Sequence, residues 1–358
     1  MELATFNQLL GAAVKNGASD LHFKVNAAPA LRINGTLRPI KAPAMAVEDL
    51  NRVAGHILTA ARWRGVVEDL REVDTSYALE GVGRFRASVF RQKGNLAVVL
   101  RAIPFVVPTF EKLGLPPVLQ KIASEERGLI LVTGVTGSGK SSTLAAIVDY
   151  INQTKRSHIL TIEDPIEFLH EDKNSRVTQR EIGPDTPSFS TALRAALRQD
   201  PDVILVGEMR DHETIDIAIK AAETGHLVLS TVHTTDAVRT IGRLVGVFPP
   251  EAEANIRQRL AENLKGSISQ RLLTHASGKG RVLAAEIMVN TLSVQEFIMD
   301  PARTMEIKDY LEKSSSMYGT QSFDQHLSAL CRAGTITMET AKEAASNPAD
   351  FERALNFE

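Results

Sequence analysis

The run Gly134-Val135-Thr136-Gly137-Ser138-Gly139-Lys140-Ser141 constrains the fold of this chain more than any other stretch. It matches G-x-x-x-x-G-K-[ST] in full and lies between an apolar run, Leu129 to Thr133, and a helical pattern, Ser141 to Gln153. That order predicts a strand, a tight loop and a helix. The glycines let backbone N–H groups curl round phosphate oxygens with no Cβ in the way, and the helix N-terminus adds partial positive charge. Lys140 is placed to reach the β- and γ-phosphates of a nucleotide, and the Ser141 hydroxyl to bind Mg²⁺. A glycine-rich turn with no ligand is the bland alternative, and the strand and helix flanks speak against it. Further apolar runs (His158 to Ile162, Val203 to Val206, Leu227 to Thr231) alternate with helical patterns (Ser190 to Gln199, Asp211 to Glu223). Such alternation predicts parallel βαβ units with helices on both faces of a sheet.

The texture differs before residue 104. A short amphipathic helix (Leu3 to Asn16) precedes alternating strand-like runs such as Ala30 to Asn34 and Arg84 to Phe90, with turn signals at Asn34-Gly35 and Gly81 to Gly83. The expected division is a mixed α/β domain over 1–102, a linker over 103–112 around Pro104 and Pro108, an ATPase core over 113–290 and a helical region over 291–358. A length of 358 residues suits two domains, and 43% apolar with 23% charged residues argues against wholesale disorder. With 41 basic and 43 acidic residues, no global field favours nucleic acid or a membrane surface. The single cysteine, Cys331, excludes a disulfide framework and a cysteine-based zinc module. No apolar stretch is long enough to span a bilayer, and the opening MELATFNQLLGAAVKNG has no basic leader. The expectation is a cytoplasmic protein with no integral membrane segment.

Hydrolysis needs acids beside the phosphate loop. Asp202-Val203-Ile204-Leu205-Val206-Gly207-Glu208 is an apolar strand ending in a carboxylate, with Gly207 where an aspartate is usual. Glu208 is therefore expected to act on Mg²⁺ through water or to polarise the attacking water. Thr161-Ile162-Glu163-Asp164-Pro165 is a second acidic strand end, and ligands bind at such ends in doubly wound sheets. That makes Glu163 a candidate general base if the two strands are neighbours. Helix caps or solvated turns are the bland reading of both acids. His226 and His233 bracket an apolar strand, seven residues apart, so one regular strand cannot aim both at a common metal. One of them is a candidate γ-phosphate sensor, and hydrogen bonding to neighbours is the alternative. Arg84, Arg86, Arg91 and Arg101 lie in or beside strands of the first domain, where a guanidinium matches phosphate geometry but is more often only solvated.

Taken together, the phosphate loop, TIEDPIE, LVGEMRD and GHLVLSTVHT occur in an order and spacing that resembles the secretion ATPases of type II secretion and type IV pili. Within that superfamily the chain is most similar to the pilus-retraction ATPases of the PilT and PilU type. Gly17-Ala18-Ser19-Asp20-Leu21-His22, Arg32-Ile33-Asn34-Gly35, Ala192 to Asp202, Ser269 to Leu273 and Gln321 to Gln325 carry the same resemblance. It implies a PAS-like N-terminal α/β domain, a RecA-like P-loop ATPase domain with a mainly parallel sheet, and a helical C-terminal tail. It further implies ATP and Mg²⁺ as ligands, a homo-hexameric ring, and an inner-membrane pilus platform protein as partner at the cytoplasmic face of the membrane.

By motif, the resemblance assigns Glu163 as catalytic base, Glu208 with Ser141 as metal-organising residues, and His233 as the residue coupling nucleotide state to neighbouring segments. Arg86 and Arg101 match arginines that approach the phosphates. Gly134, Thr136, Gly137, Ser138, Gly139, Lys140, Ser141, Ser142 and Arg271 would bind the nucleotide, and Arg194 would help the site or a subunit contact. One stretch departs. Retraction motors usually carry a motif resembling AIRNLIREGK, and here Ser293 to Thr304 keeps the apolar spacing but replaces the basic residues and introduces Pro301. That leaves a principal motor and a PilU-like accessory one both open. A pilus-assembly or secretion ATPase usually has a longer N-terminal region and a four-cysteine module. A nucleic-acid motor lacks support in charge or aromatic content, and a non-hydrolysing scaffold would need neither acid.

Overall fold

Period-two alternation builds the first sheet. In strand β5 (Gly83–Gln92), Phe85, Ala87 and Val89 are buried while Arg86 is exposed, so one face of the pleat is apolar and the other carries charge. A computed structural model describes residues 1–33, 35–58, 70–103 and 106–357. The chain divides into two units, one comprising Met1–Val106 with Glu167–Leu169 and Gly183–Asp185, the other Val107–Ile166, His170–Ile182 and Thr186–Glu358. Asn34 of the expected turn and Pro104 and Phe105 of the expected linker lie outside the described residues.

The first unit contains α1 (Leu3–Lys15), β1 (Ala18–Lys24), β2 (Ala30–Ile33), β3 (Thr36–Pro39), α2 (Val47–Ile57), β4 (Glu72–Leu79), β5 and β6 (Asn95–Ala102). Its strands run in the order β3-β2-β1-β6-β5-β4, each antiparallel to its neighbours. Helices α1 and α2 bury Phe6, Leu10, Leu50 and Val53 in one cluster with Phe23, Phe85, Val98 and Leu100 of the sheet. The spacing of Phe6, Leu10 and Ala13 is that of one helix face.

The second unit is a twisted α/β core. Helices α3 (Phe110–Leu113) and α4 (Val118–Ala123) lead into β7 (Gly128–Thr133), α5 (Lys140–Thr154), β8 (His158–Glu163), β9 (Arg176–Glu181), α6 (Phe189–Ala196), β10 (Val203–Val206), α7 (His212–Glu223), β11 (Leu227–Val232), α8 (Ala237–Val245) and α9 (Glu253–Asn263). A hairpin of β12 (Leu264–Thr274) and β13 (Arg281–Val289) follows, and the sheet order is β13-β12-β7-β11-β10-β8-β9. All pairs are parallel except β12 with β13. Every residue of β7, β10 and β11 is buried, as expected for central parallel strands covered on both faces. Leu144, Ile147, Val148 and Ile151 of α5 pack on one face with Ile130, Val132 and Leu229. The other face carries α6 to α9, where Ala192, Ile215, Ile241 and Leu260 meet Leu131, Ile162, Ile204 and Val228.

The tail is helical, as the sequence predicts: α10 (Leu292–Met299), α11 (Glu306–Lys313), α12 (Ser315–Tyr318), α13 (Phe323–Arg332), α14 (Met338–Ala344) and α15 (Pro348–Phe357). Its last helices form a small core of Phe323, Leu327, Ile336, Ala341 and Phe351 against Ala284 of β13. Helix α10 spans the departing stretch and stops at Asp300, before Pro301, because the residue preceding proline is pushed out of the helical region. Val294 and Ile298 still face the core, so the apolar spacing retains its packing role. Among the described residues, no helix is long and apolar enough to cross a membrane.

Candidate functional site

Strand β7 delivers the phosphate loop to the C-terminal edge of the sheet, between β11 and β12. Gly134 takes a φ of +146°, and a Cβ there would run into Ser138 Oγ and lie 2.7 Å from the Gln270 carbonyl oxygen. Only glycine lets the chain turn there. Gly139, itself left-handed, precedes α5 without a side-chain cap, so the first-turn N–H groups of α5 have no side chain of Gly139 to bond. The buried Lys140 closes back on the loop, its Nζ donating to the Gly134 and Val135 carbonyls at 2.9 and 3.1 Å. Ser138 Oγ is buried with no hydrogen-bond partner, and Val135, Thr136 and Gly137 are exposed. A cradle that a Cβ would fill, lined by backbone donors, a lysine and an orphaned hydroxyl, suits a polyphosphate. Ser141 and Ser142 are half-buried on the first turn of α5.

The acids sit on adjacent strand ends. Strands β8 and β10 pair in parallel with Ile162 opposite Val206, and the Gly207 N–H donates to the Ile162 carbonyl at 2.8 Å. A Cβ on Gly207 would come within 3.2 Å of that carbonyl and 3.4 Å of Glu163 Cα. Close approach of the two strands thus makes a larger residue tight at the place where an aspartate is usual. Glu163 Oε1 accepts from Thr161 Oγ1 at 2.7 Å and from Gln179 Nε2 at 3.1 Å, which fixes the carboxylate. Glu208 is paired with Arg210 at 2.7 Å and lies 3.6 Å from His233 Nε2. Burial lowers the pKa of His233, Lys140 and Arg210 lower it further, and Glu208 opposes them. The imidazole is held towards its neutral form. Lys140, Glu208 and His233 therefore share one electrostatic neighbourhood beside the loop.

Other expected residues stand elsewhere. His226 is at the opposite end of β11, its Nδ1 2.9 Å from the Ala221 carbonyl oxygen, so the two histidines do not converge. Arg194 pairs with Glu213 on the exposed surface of α6 and α7. Arg271 lies on β12, one residue from Gln270, whose carbonyl borders Gly134. Its guanidinium stacks on Phe323 at 4.0 Å and donates to the Ala344 carbonyl. In the first unit, Arg86 and Arg101 are direct cross-strand partners, both exposed. Arg101 donates to Asp20 at 2.9 Å. Burial pushes the Asp20 carboxyl up, but Arg101, Ser19 and Arg32 outweigh it and hold it below its usual range. Two like charges placed opposite each other oppose sheet pairing, a local cost typical of sites kept for function.

Sequence reasoning missed Thr161, Gln179, Arg210 and Gln270. Gln270 Nε2 donates to Thr143 Oγ1 at 2.7 Å inside the core and ties β12 to α5. Gln179 lies on β9, whose polar run Arg176–Glu181 lacks an apolar pattern because it is the sheet edge.

Residues 2–340 match the type II/IV secretion system protein family. The chain belongs to that family. Among secretion-family relatives, it is 46% identical to the type IV pilus retraction ATPase PilT of Pseudomonas aeruginosa, across 96% of this chain and 99% of that one. It is 38% identical to the type IV pilus ATPase PilU of the same organism, across 97% of this chain and 90% of that one. A crystal structure of the pilus retraction motor PilT with bound ADP superposes with a TM-score of 0.88 at 45% identity, covering 97% of this chain and 98% of that one. The secretion-family fold is thus the fold of this chain.

Proposed function

We propose that this chain is an ATP-hydrolysing motor that retracts type IV pili, working as a homo-hexamer on an inner-membrane platform protein at the cytoplasmic face of the membrane. The chain is an ATPase. The observation that carries the mechanism is the meeting of Lys140, Glu208 and His233 beside a phosphate loop, with Glu163 on the neighbouring strand end.

Residues Gly134 to Ser142 bind the triphosphate, backbone N–H groups and Lys140 neutralising its oxygens. Ser141 and Glu208 would hold Mg²⁺, which when bound withdraws charge from the phosphate oxygens. Glu163, oriented by Thr161 and Gln179, takes a proton from the water that attacks the γ-phosphorus, and the bond to ADP breaks. His233, kept neutral, can donate its one ring N–H to the γ-phosphate and so report its presence to the loop after β11. Arg86 and Arg101 of a neighbouring subunit in the ring are assigned the remaining transition-state charge, where an arginine can contribute about 10³–10⁵ in rate. Arg271 ties β12 to the tail through Phe323 and Ala344, and Arg194 pairs with Glu213 on the surface.

The stretch Ser293 to Thr304, with Arg303 over the Phe297 ring at 4.7 Å rather than a basic helix, favours keeping an accessory, PilU-like role as the second reading. Phosphate release by purified protein, with its mass in solution, tests the motor. Steady turnover from a hexamer, abolished in Lys140→Ala, is expected; nucleotide binding without turnover would point to a switched scaffold. Twitching restored in cells lacking the principal motor separates the two retraction roles.

A further inference from the structure

Opposite the phosphate loop's own helix, three polar side chains lie in a row across three strands. Thr133, Ser269 and Glu286 are register partners on β7, β12 and β13, and all are buried. Thr133 Oγ1 donates to Ser269 Oγ at 3.0 Å, Ser269 Oγ to Glu286 Oε1 at 3.4 Å, and the Ala237 N–H to the same oxygen at 2.7 Å. Each end of this relay meets the site. Thr133 is the residue before Gly134, and it pairs across β11 with Val232, the residue before His233. Ala237 opens α8, and α8 holds the His233 loop through Thr240, whose Oγ1 is 2.7 Å from that of Thr234.

An interior carboxylate is costly unless it does something that an apolar side chain cannot. Here it accepts an N–H that the helix leaves unpaired, and Asp236 and Arg271 are the charged groups around it. We propose that Glu286 is a positioning residue for ATP hydrolysis: through Ala237 and the Ser269–Thr133 relay it holds the loop carrying His233 in register with the strand that carries the phosphate loop. This rests on the reading of His233 as the group that faces the γ-phosphate. Glu286 touches no nucleotide. Its loss would misplace His233 while leaving the cradle of Gly134 to Ser141 intact.

The test uses the full chain, with phosphate release and binding of a fluorescent ADP analogue measured in Glu286→Ala, Glu286→Gln, Ser269→Ala, His233→Ala and the Glu286→Ala/His233→Ala double variant. Glu286→Ala is expected to lower kcat about tenfold with analogue affinity within about twofold of wild type. Glu286→Gln keeps an acceptor for Ala237 and should restore most of the rate. In the His233→Ala background the Glu286 change should cost nothing more, since the two act through one loop. Ser269→Ala, a smaller change, gives a milder loss of the same kind and serves if Glu286→Ala does not fold. Folded Glu286→Ala and Ser269→Ala proteins with wild-type kcat would overturn the proposal, as would a loss that adds in full to that of His233→Ala. If His233→Ala keeps wild-type turnover, the His233 reading falls and this one with it. If His233→Ala loses turnover and Glu286→Ala does not, only the positioning role falls.

Discussion

At the residue scale, chemistry here depends on how each carboxylate is held. Glu163 accepts from two neutral donors, Thr161 and Gln179, which orient its carboxylate. A Glu163→Gln protein should bind ATP normally and release phosphate at least about 100-fold more slowly, the range general-base catalysis contributes; single-turnover phosphate release checks it. Glu286 is the opposite case. Burial drives its pKa up to about 7, Asp236 adds to this, and the Ala237 N–H, Arg271 and Ser269 oppose it. Its folded pKa exceeds the unfolded one, so the native state binds the extra proton and stability falls as pH rises from about 4.5 towards 7. His170, depressed to about 4 by burial, works in the other direction, adding stability as pH rises from about 4 to 6.5 and nothing beyond. Comparison with Glu286→Gln isolates the carboxylate. Between pH 5 and 8 that variant should gain roughly 2.5 kcal/mol relative to wild type, read from urea unfolding at both pH values.

At the element scale, β12 serves two masters through alternation. Gln270 faces α5, while Ser269 and Arg271 face α8 and the tail. Arg271 joins the tail's small core through Phe323 and Ala344, so its removal loosens α13 to α15 before it touches the cradle. Arg271→Ala should cost about 1–2 kcal/mol of stability and leave ADP affinity near wild type. Thermal unfolding alongside nucleotide titration checks this. A large loss of affinity with unchanged melting would instead return Arg271 to the nucleotide. Gly207 shows the same logic: the neighbouring strand β8 crowds the position, so a Cβ there would press on the Ile162 carbonyl at 3.2 Å.

At the scale of the whole molecule, the proposed phosphate cradle and both candidate acids lie in the second unit, at the ends of β7, β8 and β10. ADP at 100 times its Kd should therefore stabilise the chain by about 2.7 kcal/mol, and Lys140→Ala should abolish that gain, as a melting curve with and without ADP would report. A ring adds a further expectation. Turnover per chain should rise with protein concentration until assembly is complete, if one subunit's arginines serve another's site.

What the amino-acid sequence determined by itself is local. The phosphate loop, the buried parallel strands, the helices α5 and α7 and the helical tail all follow from short-range patterns, because glycine geometry, period and capping act within a few residues. Helix α7 shows it: Asp211 caps it as a sequence reader would place it, accepting from the Thr214 N–H at 2.9 Å. The resemblance of the motifs also pointed to the family, since their order along the chain survives without any contact being known. Only the tertiary structure decided which distant residues meet. Gln179 on a polar edge strand orients Glu163, Gly207 is crowded by the neighbouring strand, Arg271 turns to Phe323, and Thr133, Ser269 and Glu286 line up across 153 residues of sequence. Such pairings depend on sheet order and register, and a single chain's sequence carries no local signal for either.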